Sequence, residues 1–301
     1  MTLESIYETA LYQHSLWQRI GTETNINNKE EAEKYQKGRL DSFRLSLEPH
    51  IYHYLIEQYG PRLDKFWQTY TPPKKAKQAF VLVERRPHQN FWFILRNMAW
   101  ANPNMSVYIF CSDENIGFVK ALLGTKLQHF NVVEAFKGNA SRERGKKETD
   151  NLLVNYKVYD FIDAEYIMTV EMDTFIRRKI PENIFQGDYW GNTWAWVAHT
   201  PGGGGVTIRN VKKVSAHCKK HKPDISTDLH TAQDAWLSDT MYADKADFPD
   251  VNFRANHIME NVPVENPVAV HQFWTYLDSF QVTNRPVFMN HIKQILTLEI
   301  N

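Results

Sequence analysis

The fold is decided by residues 79–83, with the sequence AFVLV, a short apolar run with polar residues on both sides. Runs of this kind are typical of strands that are buried on both faces, as in a parallel sheet. Similar runs occur at residues 107–111 (VYIFC), 130–133 (FNVV) and 166–170 (YIMTV). Segments with helical periodicity lie between them, so the sequence predicts an α/β sheet with crossover connections.

The residues before this region favour a separate helical segment. Between residues 40 and 55, apolar side chains recur every three or four positions, which is the period of an amphipathic helix. Pro49 falls inside this pattern and is expected to kink or split the helix. Residues 70–75 (YTPPKK) are typical of a linker. The sequence therefore predicts a helical N-terminal segment over residues 1–75 and an α/β domain over residues 76–301.

The same periodicities predict the remaining elements. Helices are expected at residues 88–101, 114–124, 148–161, 230–240 and 287–297, and further strands at residues 206–209 and 267–271. The polar stretch 138–149 lacks an apolar period and is interpreted as a solvated loop. Residues 217–221 (HCKKH) suggest a metal site, but their spacing lacks a second pair of ligands, so this stretch is interpreted as a solvated basic loop. For residues 138–149, a loop beside a binding cleft is the alternative.

The composition indicates an ordinary globular protein. Of the 301 residues, 43% are hydrophobic and 23% are charged, and the net charge of zero argues against a surface built wholly for polyanions. The nine Trp residues suit a bulky core, and some aromatic side chains are candidates for stacking on sugar rings or bases. Cys111 and Cys218 are too few for a disulfide framework. Without a signal-like start or an apolar stretch of about 18 residues, a soluble cytoplasmic protein is predicted.

Two acids follow directly on the strand at residues 166–170. Glu171 and Asp173 are two positions apart, so on an extended chain they point to the same side. Ligands of open α/β sheets bind outside the carboxyl ends of the strands. A pair of carboxylates there suits a hard divalent cation that also binds phosphate oxygens. The simpler alternative is a pair of acids at a strand end with no ligand.

The end of the first strand carries Glu84, Arg85 and Arg86, followed by a proline. Arginine side chains hold phosphate groups through paired hydrogen bonds and stack on bases. The same residues are also compatible with a plain charged loop. This strand end is therefore a candidate site for a nucleotide or a phosphate.

Three further features are candidates for binding or catalysis. The four consecutive glycines at residues 202–205 allow a ligand to approach the backbone closely, although a flexible turn explains them equally well. Asp234 lies in a helical pattern and could take a proton from a hydroxyl group, or it could be a surface acid. His271 follows an apolar run and could bind a metal or a phosphate, or it could be structural.

The order of these motifs resembles a family of GT-A-like glycosyltransferases found in bacteria, fungi and large DNA viruses. The resemblance runs from about residue 80 to residue 274. The motifs that carry it are residues 83–88, 93–97, 107–111, 151–153, 171–173, 188–191, 202–209 and 233–234, and His271. The chain has Glu171 where the family usually has Gln, Gly203 where it has Asn, and Gln233 where it has Glu.

The resemblance implies a GT-A-like domain, which is a Rossmann-like mixed sheet flanked by helices. It also implies a metal-dependent glycosyltransferase that uses a nucleotide-sugar, with a UDP-sugar as the expected donor. It implies a site for Mn²⁺ or Mg²⁺ and an acceptor hydroxyl on a glycan, a protein or modified DNA. The roles it implies are metal binding by Asp173, Glu171 and His271, nucleotide binding by Glu84, Arg85 and Arg86, a ligand-binding surface at Gly203, Gly204 and Gly205, and proton acceptance by Asp234.

Two other classes of protein fit the same motifs. One is a sugar- or nucleotide-binding module without turnover, built on the same fold. The other is a metal-dependent phosphotransferase or nucleotidyltransferase, which breaks a different bond. Turnover of a nucleotide-sugar would exclude the binding module, and a nucleoside diphosphate rather than pyrophosphate as the product separates the glycosyltransferase from the second class.

Overall fold

The computed structural model of the chain describes residues 1–24, 26–138, 142–222 and 232–300. Two long helices come first, α1 (Leu3–Glu23) and α2 (Lys29–Thr69). Each begins where the sequence offers a polar cap. Thr2 and Ser5 form a capping box at α1, and the Asn28 side chain accepts a hydrogen bond from the N–H of Glu31 at α2. The expected helical N-terminus is confirmed.

Helix α2 is continuous through both of its prolines, Pro49 and Pro61. The expectation that Pro49 splits the helix is therefore wrong. A proline removes one backbone hydrogen bond, but α2 is held from outside, because an apolar stripe on both sides of Pro49 is buried in the core. The residues of that stripe include Phe43, Leu47, Ile51 and Leu55.

The strands fall into two sheets, and helices connect them. The strands are β1 (Gln78–Glu84), β2 (Ser106–Ser112), β3 (Asn131–Phe136), β4 (Tyr166–Val170), β5 (Thr174–Ile176), β6 (Tyr189–Asn192), β7 (Gly203–Asn210), β8 (Ile258–Met259) and β9 (Ala269–His271). The remaining helices are α3 (Phe91–Ala101), α4 (Ile116–Leu123), α5 (Arg142–Val154), α6 (Val211–His221), α7 (Gln233–Ala243), α8 (Val251–His257) and α9 (Arg285–Ile295).

The main sheet has the strand order β3-β2-β1-β4-β7-β6, and the small sheet has the order β5-β9-β8. Strands β3, β2, β1 and β4 are parallel, whereas β7 runs antiparallel to β4 and to β6. This confirms the expected α/β fold with a mixed sheet flanked by helices. Since parallel strands end at the same edge of a sheet, the carboxyl ends of β1, β2 and β4 and the start of β7 lie together.

Three local expectations are wrong. The glycines at residues 202–205 are not a free loop, because β7 begins at Gly203 and is buried along most of its length. Residues 217–221 form the end of α6 rather than a solvated loop, because Val214 and Cys218 bury one face of that helix. Much of the polar stretch 138–149 belongs to α5.

Two further boundaries differ from the expected ones. The helix expected over residues 148–161 ends at Val154, and a 3₁₀ turn follows over Tyr156–Phe161. Asn155 separates the two, since its side chain accepts a hydrogen bond from the N–H of Lys157.

The N-terminal helices share the core of the sheet. Tyr52 of α2 packs edge-on against Phe93 of α3 and against Trp274, and its hydroxyl donates a 2.9 Å hydrogen bond to the carbonyl oxygen of Thr174. Helix α2 therefore lies against the segment that follows β4, where the acid pair is found. In the described part of the chain, no helix is long and apolar enough to cross a membrane.

Candidate active site at the carboxyl edge of the sheet

The acid pair is held at the edge of the sheet by backbone hydrogen bonds on both sides. After β4 ends, the N–H of Glu171 donates to the carbonyl oxygen of Gly205 over 3.0 Å. The carbonyl oxygen of Asp173 accepts from the N–H of Gln272 over 3.1 Å, and β5 pairs with β9 so that Thr174 lies opposite His271. The antiparallel β5–β9 pair thus brings His271 to the acids.

The three side chains form one cluster. His271 Nε2 lies 3.3 Å from Asp173 Oδ1 and 3.9 Å from Glu171 Oε2. One ligand atom from each residue lies within 4.8 Å of the other two. Asp173 Oδ1 and His271 Nε2 are buried and have no hydrogen-bond partner among the described residues. Buried polar atoms are normally satisfied, and a divalent cation held by this donor set would satisfy both.

A second carboxylate supports His271 from behind. Glu260 Oε2 lies 3.4 Å from His271 Nδ1, and only 4% of the Glu260 side chain is exposed. Glu260 also accepts hydrogen bonds from Asn192 Nδ2 (2.6 Å) and from the Tyr276 hydroxyl (3.2 Å). The N–H of Gly205 also donates to His271 Nδ1 over 3.2 Å, so a backbone N–H and a carboxylate together hold the ring from behind. No sequence pattern marks Glu260 or Asn192, and only the structure places them here.

The charges of the cluster shift the pKa values of its three side chains. Burial opposes a charge on His271, but the carboxylates of Asp173 and Glu260 raise its pKa well above the ordinary value. Burial likewise disfavours ionised Asp173, but the neighbouring His271 lowers the pKa of Asp173 to about 2. Desolvation in the cleft and then Asp173 raise the pKa of Glu171, although 48% of its side chain is accessible. A bound cation favours the deprotonated form of all three groups.

Helix α2 adds two charged residues that the sequence did not indicate. Burial and then the charge of Asp173 raise the pKa of Glu48 to about 7. The side chain of Asn90 donates to Glu48 Oε1 (2.9 Å) and to the carbonyl oxygen of Met172 (3.0 Å), which ties α2 to the acidic segment. The positive charge of Arg44 lowers the pKa of both Glu48 and Asp173. Arg44 has no ion-pair partner among the described residues, so it is a cation beside the cluster.

The predicted nucleotide-binding residues at the end of β1 differ from one another in their surroundings. Glu84 accepts three hydrogen bonds from Arg86, one from its backbone and two from its guanidinium group, and 59% of the Arg86 side chain is exposed. Arg85 is buried, pairs with Glu148, donates to the carbonyl oxygen of Gly138 and lies over the Phe136 ring. Arg86 can therefore reach a ligand, whereas the Arg85 guanidinium is occupied by protein groups.

The glycines of β7 allow two side chains to approach the backbone. A Cβ on Gly203 would lie 2.8 Å from the Cβ of Asp234, and a Cβ on Gly205 would lie 2.5 Å from His271 Nε2. Gly204 has a φ of 90°, which L-residues rarely adopt. The structure therefore gives these glycines a role in placing Asp234 and His271, and the expected ligand surface stays a prediction.

Asp234 lies in the first turn of α7, beside this strand. Its Oδ2 accepts a 2.7 Å hydrogen bond from the N–H of Gly204, and its Oδ1 accepts one of 2.9 Å from the N–H of Ala235. After desolvation and the charge of Asp173, the negative charge of Asp234 also contributes to raising the pKa of Glu171. A second acid, Asp150 of α5, lies behind it, and burial raises the pKa of Asp150 to about 6. Asp150 was not among the predicted site residues.

Two tryptophans lie beside Asp234. Trp194 and Trp196 are stacked, with ring centroids 6.2 Å apart and an interplanar angle of 7°, and Trp196 is 63% exposed. A Cβ on Gly203 would come within 2.7 Å of the Trp194 ring, so the pair borders the same glycine as Asp234. An exposed aromatic face next to a carboxylate is suited to a ring-shaped ligand that carries hydroxyl groups.

The fold and these residues together define an α/β protein with a candidate cation site at the carboxyl edge of its sheet. A family model described as a protein of unknown function (DUF5672) matches residues 133–271. The match includes the acid pair, the β7 glycines, Asp234 and His271, and it leaves out α2 and β1.

The chain also has structural similarity to two glycosyltransferases. One is the apo form of the glycosyltransferase GlyE from Streptococcus pneumoniae TIGR4, with a TM-score of 0.46 and 11% identity over 65% of this chain and 54% of that chain. The other is the apo form of mouse xyloside xylosyltransferase 1, with a TM-score of 0.43 and 9% identity over 64% of this chain and 97% of that chain. The chain thus spans about half of GlyE. No curated protein matches it by sequence.

Proposed function

We propose that the protein is a metal-dependent glycosyltransferase that moves a sugar from a nucleotide-sugar, a UDP-sugar in the first instance, to an acceptor hydroxyl. The observation that carries the proposal is the cluster of Glu171, Asp173 and His271, with two buried ligand atoms that have no hydrogen-bond partner in the described part of the chain. Two carboxylates and one imidazole favour Mn²⁺ over Mg²⁺, because Mg²⁺ prefers oxygen ligands alone. A metal ion bound at this cluster would neutralise the charge that develops on a diphosphate leaving group.

The donor side of the proposed site is positively charged. Arg86 is exposed and is held by Glu84. Its hydrogen bonds to Glu84 and then the negative charge of Asp173 raise the pKa of Arg86. Arg44 approaches the cluster from α2 and has no ion-pair partner among the described residues. Guanidinium groups bind phosphate oxygens through charge-assisted hydrogen bonds. We therefore propose that Arg86 and Arg44 bind the diphosphate of the donor. Arg85 instead supports the end of β1 through its contacts with Glu148 and Gly138.

The acceptor side of the proposed site is formed by Asp234 and the stacked pair Trp194 and Trp196. Asp234 is fixed by two backbone N–H groups, and each of its oxygens keeps a lone pair that can accept a proton from the acceptor hydroxyl. The exposed Trp196 ring offers a face on which a sugar ring can pack. This favours a glycan acceptor over a protein or modified DNA.

The experiment that tests the proposal is a screen of nucleotide-sugars with release of nucleoside diphosphate as the readout, with Mn²⁺ and with EDTA. The expected result is metal-dependent release of nucleoside diphosphate and sugar transfer to a glycan. Release of pyrophosphate or transfer of a phosphoryl group would identify a nucleotidyl- or phosphotransferase instead. Donor binding without turnover on any acceptor class would identify a binding module.

A further inference from the structure

A second cluster of metal-binding side chains lies at the ends of α6 and α7, outside the proposed active site. His217 and His221 belong to the last turns of α6, and Asp244 directly follows α7. Asp244 Oδ2 lies 3.2 Å from His217 Nδ1 and 2.8 Å from His221 Nε2. We propose that these three residues form a separate binding site for a Zn²⁺-class transition-metal ion.

The tautomer of His217 supports this assignment. The Thr240 hydroxyl donates its hydrogen to the carbonyl oxygen of Trp236 over 2.7 Å. It can therefore only accept in its 2.9 Å hydrogen bond with His217 Nε2, so Nε2 carries the ring hydrogen. In the neutral ring, Nδ1 is then a bare lone pair that faces a carboxylate oxygen. Two acceptors in contact repel each other, and a cation between them removes the repulsion.

The arrangement also has the outer support that metal-binding histidines use. A ligating histidine usually donates its other ring N–H to a protein acceptor, which fixes both the tautomer and the ring. Thr240 is that acceptor for His217. Only 6% of the His217 side chain is exposed, so its ring is fixed, whereas 31% of the His221 side chain is open to solvent.

The spacing of the ligand atoms fits a zinc site. Residues four apart on a helix lie on one face, so His217 and His221 point the same way. Zinc bonds of about 2.0–2.2 Å in a tetrahedral site place ligand atoms about 3.3–3.6 Å apart. The distances from Asp244 to the two histidines are 3.2 and 2.8 Å, and the three ligand atoms lie within 4.8 Å of one another. Small side-chain movements bring these three ligand atoms to three corners of the zinc tetrahedron, and a water molecule is the fourth ligand of the proposed site.

One group competes with the ion. The Lys220 ammonium lies 2.8 Å from Asp244 Oδ2, and 65% of the Lys220 side chain is exposed. Exposed ion pairs contribute little to stability, so a metal that binds both imidazoles displaces the ammonium. Lys220 therefore weakens the site without closing it.

The site has a structural consequence for the rest of the molecule. Helix α7 carries Asp234 in its first turn and is followed by Asp244 at its other end. An ion held by Asp244 and the two histidines fastens the end of α7 to α6. The inference itself stands on the side chains of these two helices and does not depend on the proposed glycosyltransferase activity.

The test uses the full, tag-free chain with Asp173→Ala, which removes the first candidate site, after treatment with EDTA and desalting. Equilibrium dialysis against ZnCl₂ at pH 8 is expected to show one bound Zn²⁺ per chain, and Co²⁺ is expected to give the visible absorption of a tetrahedral complex. His221→Ala and Asp244→Asn are expected to lose this equivalent. Thr240→Val, which keeps the shape but removes the acceptor for Nε2, is expected to weaken binding about 10- to 100-fold.

The two neighbouring lysines provide one further test and one matched control. Lys220→Ala removes the competing ammonium and is expected to tighten Zn²⁺ binding, whereas Lys219→Ala on the same helix turn leaves it unchanged. Circular dichroism of each metal-free variant shows whether it is folded. The inference is overturned if the folded Asp173→Ala chain binds no Zn²⁺, or if the bound equivalent survives both His221→Ala and Asp244→Asn.

Discussion

His271 Nε2 lies 3.3 Å from Asp173 Oδ1, with neither atom hydrogen-bonded to a described residue, although the two residues are far apart in the sequence. Asp173 lies between β4 and β5, directly before Thr174, and His271 ends β9. The antiparallel pairing of β5 with β9 is what brings them together. The pair therefore depends on the formation of the small sheet.

The first prediction concerns metal dependence. Asp173→Ala is expected to abolish turnover and to weaken the binding of UDP in the presence of Mn²⁺, because it removes the carboxylate whose buried oxygen has no hydrogen-bond partner among the residues that the structure describes. Calorimetric titration of UDP with and without Mn²⁺ measures the effect on binding. Asp239→Ala, an exposed acid on α7, is the control. Full activity of the wild-type chain in excess EDTA would contradict the prediction.

The second prediction concerns pH. The folded-state pKa of His271 is raised, so its contribution to stability is fully present below the unfolded value of about 6.5 and is lost as pH rises through the folded pKa. The raised pKa values of Glu171 and Glu48 act in the same direction. In the metal-free chain, the free energy of unfolding in urea is therefore expected to fall between pH 6 and pH 9.

With Mn²⁺ added, the free energy of unfolding is expected to rise with pH over the same range. The ion competes with protons for His271 and Glu171, so its affinity rises with pH and binding releases protons. Calorimetry in buffers of different ionisation enthalpy counts those protons. His271→Gln should flatten the pH dependence. An affinity for Mn²⁺ that is independent of pH across this range would exclude His271 as a ligand.

The third prediction concerns the acceptor hydroxyl. Asp234→Asn keeps the shape of the side chain but cannot take a proton, so kcat is expected to fall at least about a hundredfold. The affinities for Mn²⁺ and for the donor should stay close to those of the wild type. Asp239→Asn on the same helix serves as the control. A near-normal kcat would place the base elsewhere, with Asp150 the next residue to replace, or would favour a retaining mechanism in which the leaving phosphate takes the proton.

The fourth prediction concerns the N-terminal helix α2. Arg44→Ala is expected to weaken UDP binding roughly 10- to 100-fold, because a charge-assisted hydrogen bond contributes about 1.5–3 kcal/mol. Stability should change little, since Arg44 has no ion-pair partner among the described residues. Lys65→Ala, an exposed cation on the same helix, is the matched control. Equal affinities for UDP in both variants would remove α2 from the donor site.

The fifth prediction concerns the stacked tryptophans. Trp196→Ala is expected to raise the KM for a glycan acceptor while leaving UDP binding unchanged, because the exposed ring lies on the side of Asp234. Tyr12→Ala removes another exposed aromatic ring, on α1, and is expected to change neither quantity. An unchanged KM for the acceptor in Trp196→Ala would mean that the tryptophan pair is not part of the acceptor site.

The sequence by itself determined the strands of the parallel sheet and the position of the acid pair. Strand β4 covers the predicted residues 166–170, and the acids follow it, because a short apolar run and the residue after it are local properties of the chain. The glycines were also visible, but their role was not. Whether four glycines form a turn or a strand depends on what packs against them, here Asp234 and His271.

Only the tertiary structure decided which side chains surround Asp173 and His217. Glu260, Arg44 and Glu48 carry no motif, and they reach the first cluster because β8–β9 and the long helix α2 pack against the end of β4. Asp244 completes the second cluster only because α6 and α7 end side by side. Hydrophobic periodicity specifies which face of each element is buried, but it does not specify which two elements meet. Contacts between elements distant in sequence therefore decided the composition of both sites.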